Sequence, residues 1–130
     1  MLKVGEFAIL AMGAVAGAYL RYRIVESPAT IGNLPINVLI VNVLGSFILG
    51  FFSVIAITFN LDQKFALFVA VGFCGSFTTM SSFMLETVNL LDNHGMILAV
   101  LGILANVGLS FISVTAGRLL GYAVMEAMML

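Results

Sequence analysis

The side chains of this 130-residue chain that can do chemistry are mostly uncharged amides and hydroxyls set in apolar surroundings. Asn42 lies in "VNVLGSFILG", with Ser46 one helical turn later and Gly45 before it. On a helix positions 42 and 46 share a face, and glycine at 45 lets another backbone approach. The amide NH2 of Asn42 carries two donors, which suit either a knot between membrane helices or contact with a passing anion. A second set, Asn106, Ser110 and Ser113, is spaced four and three residues apart and can continue one face. Its hydroxyls can bond back to the preceding turn. Placed opposite Asn42, they would instead make a narrow polar track for a solute that sheds water.

The stretch "GFCGSFTTMSSF", residues 72–83, is the most unusual for its setting. Gly72 and Gly75 weaken a helix, and Ser76, Thr78, Thr79, Ser81 and Ser82 compete for its backbone hydrogen bonds. An unwound turn here frees carbonyls that need a partner within protein. A bound cation is one such partner, as in broken transporter helices. The alternative is an intact helix whose hydroxyls bond to the preceding turn. Phe77, Met80 and Phe83 repeat every three residues and can share a face. Ring edges are electropositive and suit an anion, although packing is their ordinary use. Arg21 either snorkels to an interface or makes an electropositive vestibule. Glu86 can pair with a base or shape an entrance, His94 reads as part of a solvated turn, and Cys74 reads as a small buried thiol.

These residues must be held by membrane helices. The chain is 62% hydrophobic and 8% charged, with a mean hydropathy of +1.21, which excludes an ordinary soluble domain. One Cys and one His exclude a disulfide framework or a classical metal cluster, and a net charge of −1 without a basic block excludes a nucleic-acid partner. Four apolar segments each suffice to cross a bilayer: about 4–20, 35–57, 65–90 and 96–125. Short connections, "ESPATIGNL", "NLDQK" and "NLLDNHG", leave no room for another domain, so residues 1–130 read as one all-α integral membrane domain in contact with lipid. The apolar stretch after Lys3 reads as a retained helix rather than a signal peptide, because three more such segments follow. Gly13, Ala14, Gly17 and Ala18 give the first helix a face for close contact. Pro35 can open the second helix.

The basic residues are few. Lys3, Lys64 and Arg118 fall toward one side of the membrane and Arg21 and Arg23 toward the other, so positive-inside bias is nearly balanced. Such a chain can insert in both orientations, and two oppositely inserted copies can pair around an axis in the membrane plane.

The chain resembles the Fluc, or CrcB, family of bacterial fluoride channels. "GAVAGAYLRY" is similar to the family's glycine-rich first helix ending in Arg-Tyr, "NVLGSFILG" to its second-helix asparagine motif, and "GFCGSFTTMSSF" to the break in its third helix. The resemblance implies four transmembrane helices per subunit, a broken third helix and an antiparallel dual-topology homodimer with two fluoride pathways in the bacterial inner membrane. It implies a structural Na+ at the dimer interface, held by the backbone carbonyls of Gly75 and Thr78 from each subunit. Asn42, Met80, Phe83 and Ser110 would belong to the fluoride pathway, with Thr79 organising the break or the lower path. Arg21, Glu86, Ser46, Asn106 and Ser113 would be vestibule or structural groups. Two departures stand out: Met80 replaces a phenylalanine, and Val38 a hydroxyl residue.

The implied activity is passive fluoride permeation that lowers cytoplasmic fluoride. No nucleophile–base arrangement suggests an enzyme. One rival is a small proton-coupled exporter of the multidrug-resistance type, which calls for an ionisable group at mid-membrane; Glu6 is too near an edge. The other is a noncatalytic membrane assembly subunit, whose polar groups would serve only packing.

Overall fold

The computed structural model describes residues 3–130, in which four helical spans are long and apolar enough to cross a membrane. The first is α1 (Val4–Val25), which opens with the Glu6 carboxylate accepting the Lys3 backbone N–H at 3.0 Å. A carboxylate there satisfies an orphan donor and complements the positive helix end. The helix continues past Leu20, so Arg21 and Arg23 are helical. Arg23 pairs with Glu26 at 3.1 Å, an exposed contact of small energetic weight.

A short hairpin follows, β1 (Thr30–Ile31) pairing antiparallel with β2 (Leu34–Pro35). Pro35 thus lies in a strand, and the second helix, α2 (Asn37–Thr58), begins two residues later than its proline suggests. Its first residue explains why. The Asn37 amide accepts the Ala29 N–H at 2.6 Å and donates to the carbonyls of Ile24 and Ser27 at 2.6 and 2.9 Å. One buried side chain therefore clasps the end of α1 to the start of α2.

The third span, Gln63–His94, is composite. A short helix α3 (Gln63–Ala66), capped by the Asp62 carboxylate on the Lys64 N–H at 2.9 Å, leads into a π-helical segment (Leu67–Cys74). Then come α4 (Gly75–Phe77), the extended residues Thr78 and Thr79, and α5 (Met80–His94). The polar "NLLDNHG" stretch is helical through His94 rather than a loop. Gly95 alone links α5 to the last helix, α6 (Met96–Met129), at a φ of +90° that a side chain would resist. With 34 residues, α6 extends about 51 Å, well beyond a hydrocarbon core of about 30 Å.

Between apolar helices in lipid there is little hydrophobic driving force, so close van der Waals contact between small residues must hold them. Two parallel pairs do this. Gly13 and Gly17 of α1 lie against the backbone of Phe68 and Phe73 in the π-helical segment. In the other pair, Gly50 of α2 faces the Val114 backbone while Gly117 and Gly121 of α6 face Phe47, Phe51 and Val54. Val38, Val41 and Val54 fill the buried face of α2. Val38, read as replacing a pathway hydroxyl, is a core residue at 1% exposure. Apolar side chains such as Phe7, Ile97 and Phe111 cover the outside, as a lipid-facing surface requires.

A Cβ at Gly117 meets the Phe47 carbonyl and the Phe51 N–H, whereas one at Gly5 meets nothing within 4 Å. Gly117→Leu is expected to cost about 1–3 kcal/mol or more by overpacking, and Gly5→Ala to be neutral or slightly stabilising. Thermal unfolding in detergent checks this; equal midpoints for the two variants would refute the packing assignment.

Candidate functional site

The site is built where α4 gives way to α5. In a continuous helix the Thr79 N–H would donate to the Gly75 carbonyl. Instead it donates to Asn42 Oδ1 at 2.8 Å, and Asn42 Nδ2 donates back to the Thr79 carbonyl at 3.2 Å. The amide of α2 thus satisfies both backbone groups of one extended residue. Thr78 turns the other way: its N–H and its hydroxyl both donate to the Cys74 carbonyl, at 3.0 and 2.9 Å. The Ser82 N–H, which would reach the Thr78 carbonyl in a continuous helix, donates to Thr79 Oγ1 at 3.3 Å and so caps α5. The carbonyls of Gly75 and Thr78 have therefore lost their usual donors to side chains. Gly75 is also exposed at the surface.

Donor logic then propagates one residue further. Thr79 N–H can only donate and Thr79 C=O can only accept, which fixes which end of the Asn42 amide faces which group. The second Nδ2 hydrogen of Asn42 goes to Asn106 Oδ1 at 3.0 Å. Asn106 is thereby oriented too, and its own Nδ2 has no protein partner among the described residues. One turn on, Ser110 Oγ is buried and also unpartnered.

Both line a cavity of about 430 Å³, together with Asn42, Ser46, Thr78, Thr79, Met80 and Phe83. Its lining carries no carboxylate and no basic side chain. Phe83 and Asn106 also border a much smaller void of about 10 Å³ that reaches Glu86, room for roughly one water. Glu86 in turn borders a third cavity of about 260 Å³ with Asn33, Asn89, Asn93 and His94. Phe83 and Asn106 border both the first cavity and the small void, and Glu86 borders both the small void and the third cavity.

The residues singled out in the sequence are thus divided. Asn42, Ser46, Gly75, Thr78, Thr79, Met80, Phe83, Asn106 and Ser110 meet at the 430 Å³ cavity, and Glu86 borders the small void that shares Phe83 and Asn106 with it. Ser113 instead donates to the Val43 carbonyl at 2.7 Å and ties α6 to α2. Arg21 stands apart, beside a separate cavity of about 320 Å³ bordered by Tyr22, Glu26 and Ser82. Phe77, Met80 and Phe83 do not share a face, because the extended residues intervene. Phe77 is buried and stacks on Phe73 with ring centres 5.5 Å apart, Phe83 is buried beside the small void, and Met80 is 66% exposed. Asn37 was not among the candidates. Its signal was an asparagine in a run of apolar residues just after a turn-forming stretch, the setting in which an amide substitutes for backbone.

A family model described as "CrcB-like protein, Camphor Resistance (CrcB)" matches residues 8–118. The chain is similar to the fluoride-specific ion channel FluC of Nitrosopumilus maritimus (strain SCM1), 53% identical over 113 residues that cover 87% of this chain and 90% of the relative. It is also similar to that of Sulfurihydrogenibium sp. (strain YO3AOP1), 46% identical over 118 residues, 88% and 95% of the two chains. To that of Methanocaldococcus jannaschii (strain ATCC 43067 / DSM 2661 / JAL-1 / JCM 10045 / NBRC 100440), the identity is 37% over 121 residues, 93% and 98%. Four membrane-spanning helices and matches that run through all of them place this multi-pass membrane protein in the CrcB family.

Proposed function

We propose that the protein is a passive, fluoride-selective channel of the plasma membrane that lowers cytoplasmic fluoride. The observation that carries this reading is the pair of unpartnered donors, Asn106 Nδ2 and Ser110 Oγ, in a cavity without charged walls. Fluoride is compact and strongly hydrated, so a narrow path must replace its water with donors. It must also hold the ion weakly enough to release it, which uncharged donors favour over a fixed cation. In this reading Asn42, Thr79, Met80, Phe83 and Ser110 line the pathway, and Phe83 offers it a ring edge. Glu86, which borders the small void and the third cavity, shapes the mouth. Arg21 of α1, whose cavity also borders Ser82 near the start of α5, draws anions in, and Ser46, Asn106 and Ser113 complete the walls and their support.

The similarity to FluC relatives supports fluoride as the ion. A proton-coupled exporter fits less well, because Glu6 of α1 is engaged with the Lys3 backbone at the helix edge. A purely structural assembly subunit leaves the buried Ser110 hydroxyl unexplained.

The proposal includes an antiparallel homodimer with two pathways and a structural Na+ between the subunits. The carbonyls of Gly75 and Thr78 suit such an ion: they are hard oxygen donors whose helical N–H partners are diverted, and Gly75 is exposed on the subunit surface. When bound, Na+ would supply the positive charge that these carbonyls otherwise lack. Asn42 and Thr79 hold the backbone open for it.

Two outcomes test this. In liposomes holding the purified protein, fluoride should leave passively, with chloride moving far more slowly and no requirement for a pH gradient. Strict dependence on proton exchange, or absence of fluoride flux, would defeat the reading. Separately, replacing all Na+ by a large organic cation during purification should lower fluoride flux at least tenfold and reduce the dimer fraction. Unchanged flux and dimerisation after that exchange would rule out a structural role for Na+.

A further inference from the structure

Arg118 is a charged side chain at a depth where a membrane helix seldom carries one. The contacts between α2 and α6 fix that depth. Asn42 meets Asn106, Gly50 the backbone of Val114, Gly117 the backbone of Phe47 and Phe51, and Gly121 the side chain of Val54. Residue numbers rise together along both helices, so α2 and α6 run parallel and Arg118 is level with Phe51. From Phe51 the second helix continues to Thr58, about 10 Å further. The 22 residues of α2 extend about 33 Å, little more than a hydrocarbon core of about 30 Å. With α2 centred in that core, the Cα of Arg118 lies roughly 9 Å inside it.

Arg118 is exposed there rather than folded into the protein, and no carboxylate pairs with it among the described residues. Glu126 is two turns further on, about 12 Å along the axis. A helical side chain leaves its Cα slanted toward the N-terminus, which for Arg118 is toward the bilayer centre. The guanidinium bends the other way: Nη2 donates to the Tyr122 hydroxyl at 3.3 Å, one turn nearer the membrane surface. Tyr122 is half-exposed. Its oxygen receives the arginine hydrogen, so its own hydrogen is left to give, and the guanidinium has N–H groups to spare. The pair thus turns donors outward around one unpaired positive charge. Deeper on the same face stand Leu104, Val107 and Phe111, all exposed, a surface suited to acyl chains.

We propose that Arg118 and Tyr122 form a binding site for the phosphate of an anionic membrane lipid, and that this lipid braces α6 against α2. Phosphate oxygens match the planar guanidinium fork and accept from the tyrosine hydroxyl as well. The acyl chains then run inward along Phe111. A zwitterionic lipid brings a second positive charge to the site, so an anionic headgroup is preferred. Gly117 and Gly121 flank Arg118 and seat α6 on α2, so a lipid held at Arg118 supports that contact. The inference does not depend on which ion the protein conducts.

The test uses full-length protein in dodecylmaltoside micelles, given phosphatidylglycerol, phosphatidylcholine or inorganic phosphate at matched phosphate concentration. Native mass spectrometry counts bound lipid, and thermal unfolding is followed in parallel. Wild-type protein should retain phosphatidylglycerol about fivefold over phosphatidylcholine, the preference that one basic residue at a membrane surface supports. Its unfolding midpoint should rise with phosphatidylglycerol alone. Arg118→Gln should remove both the preference and the rise. Tyr122→Phe deletes a single oxygen and should weaken phosphatidylglycerol retention about twofold or more; it decides the matter if Arg118→Gln does not fold. Arg23→Gln, at an arginine already paired with Glu26, should leave the preference intact. Equal retention of the two lipids by the wild type, a preference that survives Arg118→Gln, or unchanged retention in Tyr122→Phe would overturn the site. Equal stabilisation by inorganic phosphate would also overturn it, in favour of a soluble anion. Loss of dimer rather than of lipid in Arg118→Gln would overturn it in favour of a second copy covering this face.

Discussion

The structure depends on the pairing of one side-chain amide with one backbone residue. Within a bilayer a backbone N–H or C=O without a partner costs several kcal/mol, so an interrupted helix survives only where protein supplies what the helix has given up. Asn42 supplies it to Thr79 at both ends, with its oxygen at 2.8 Å and its nitrogen at 3.2 Å. The Thr79 hydroxyl then caps the helix that restarts at Met80. Without this bracket the cheapest solution for residues 75–82 is a continuous helix, in which the carbonyls of Gly75 and Thr78 would be occupied.

Everything else serves to bring α2 to that residue at the right height. Asn37 fixes where α2 begins by clasping it to the end of α1. Gly45 lies directly against the Thr78 and Phe77 side chains, where a Cβ would push α2 away from the junction. Gly50, Gly117 and Gly121 hold α6 against α2 closely enough for Asn106 to reach Asn42. On the other side Gly13 and Gly17 seat α1 against Phe68 and Phe73, anchoring the segment that precedes the break. Small residues therefore position the polar network, and the network needs them because an amide bond tolerates little displacement.

Much of this was legible in the residues. Four spans followed from hydropathy and length, and the glycines at 13 and 17 announced a close helix contact before any partner was known. The polar residues at 42, 106 and 110 were identifiable because amides and hydroxyls at membrane depth are costly and so have a use. What could not be read was their division of labour. Spacing places Phe77 with Met80 and Phe83 only if the helix is continuous, and the two extended threonines separate them. Ser113 continues the face of Ser110 by periodicity, yet a carbonyl on a different helix captures it. Asn42 reads as an amide with hydrogens to spare, yet its Nδ2 donates to both the Thr79 carbonyl and Asn106 Oδ1, because the orientation of each amide depends on a tertiary neighbour that no local pattern encodes. Likewise, the helical run through His94 depends on Gly95 alone making the turn, against a polar composition that suggested a loop.

The most direct measurement is the scalar coupling transmitted through the hydrogen bond that accepts from Thr79, recorded by NMR on protein with 15N-labelled backbone and 13C-labelled asparagine and glycine. A correlation between the Thr79 amide nitrogen and the Asn42 side-chain carbonyl carbon is the predicted result. A correlation with the backbone carbonyl carbon of Gly75 would mean that the helix is continuous, and would contradict the account.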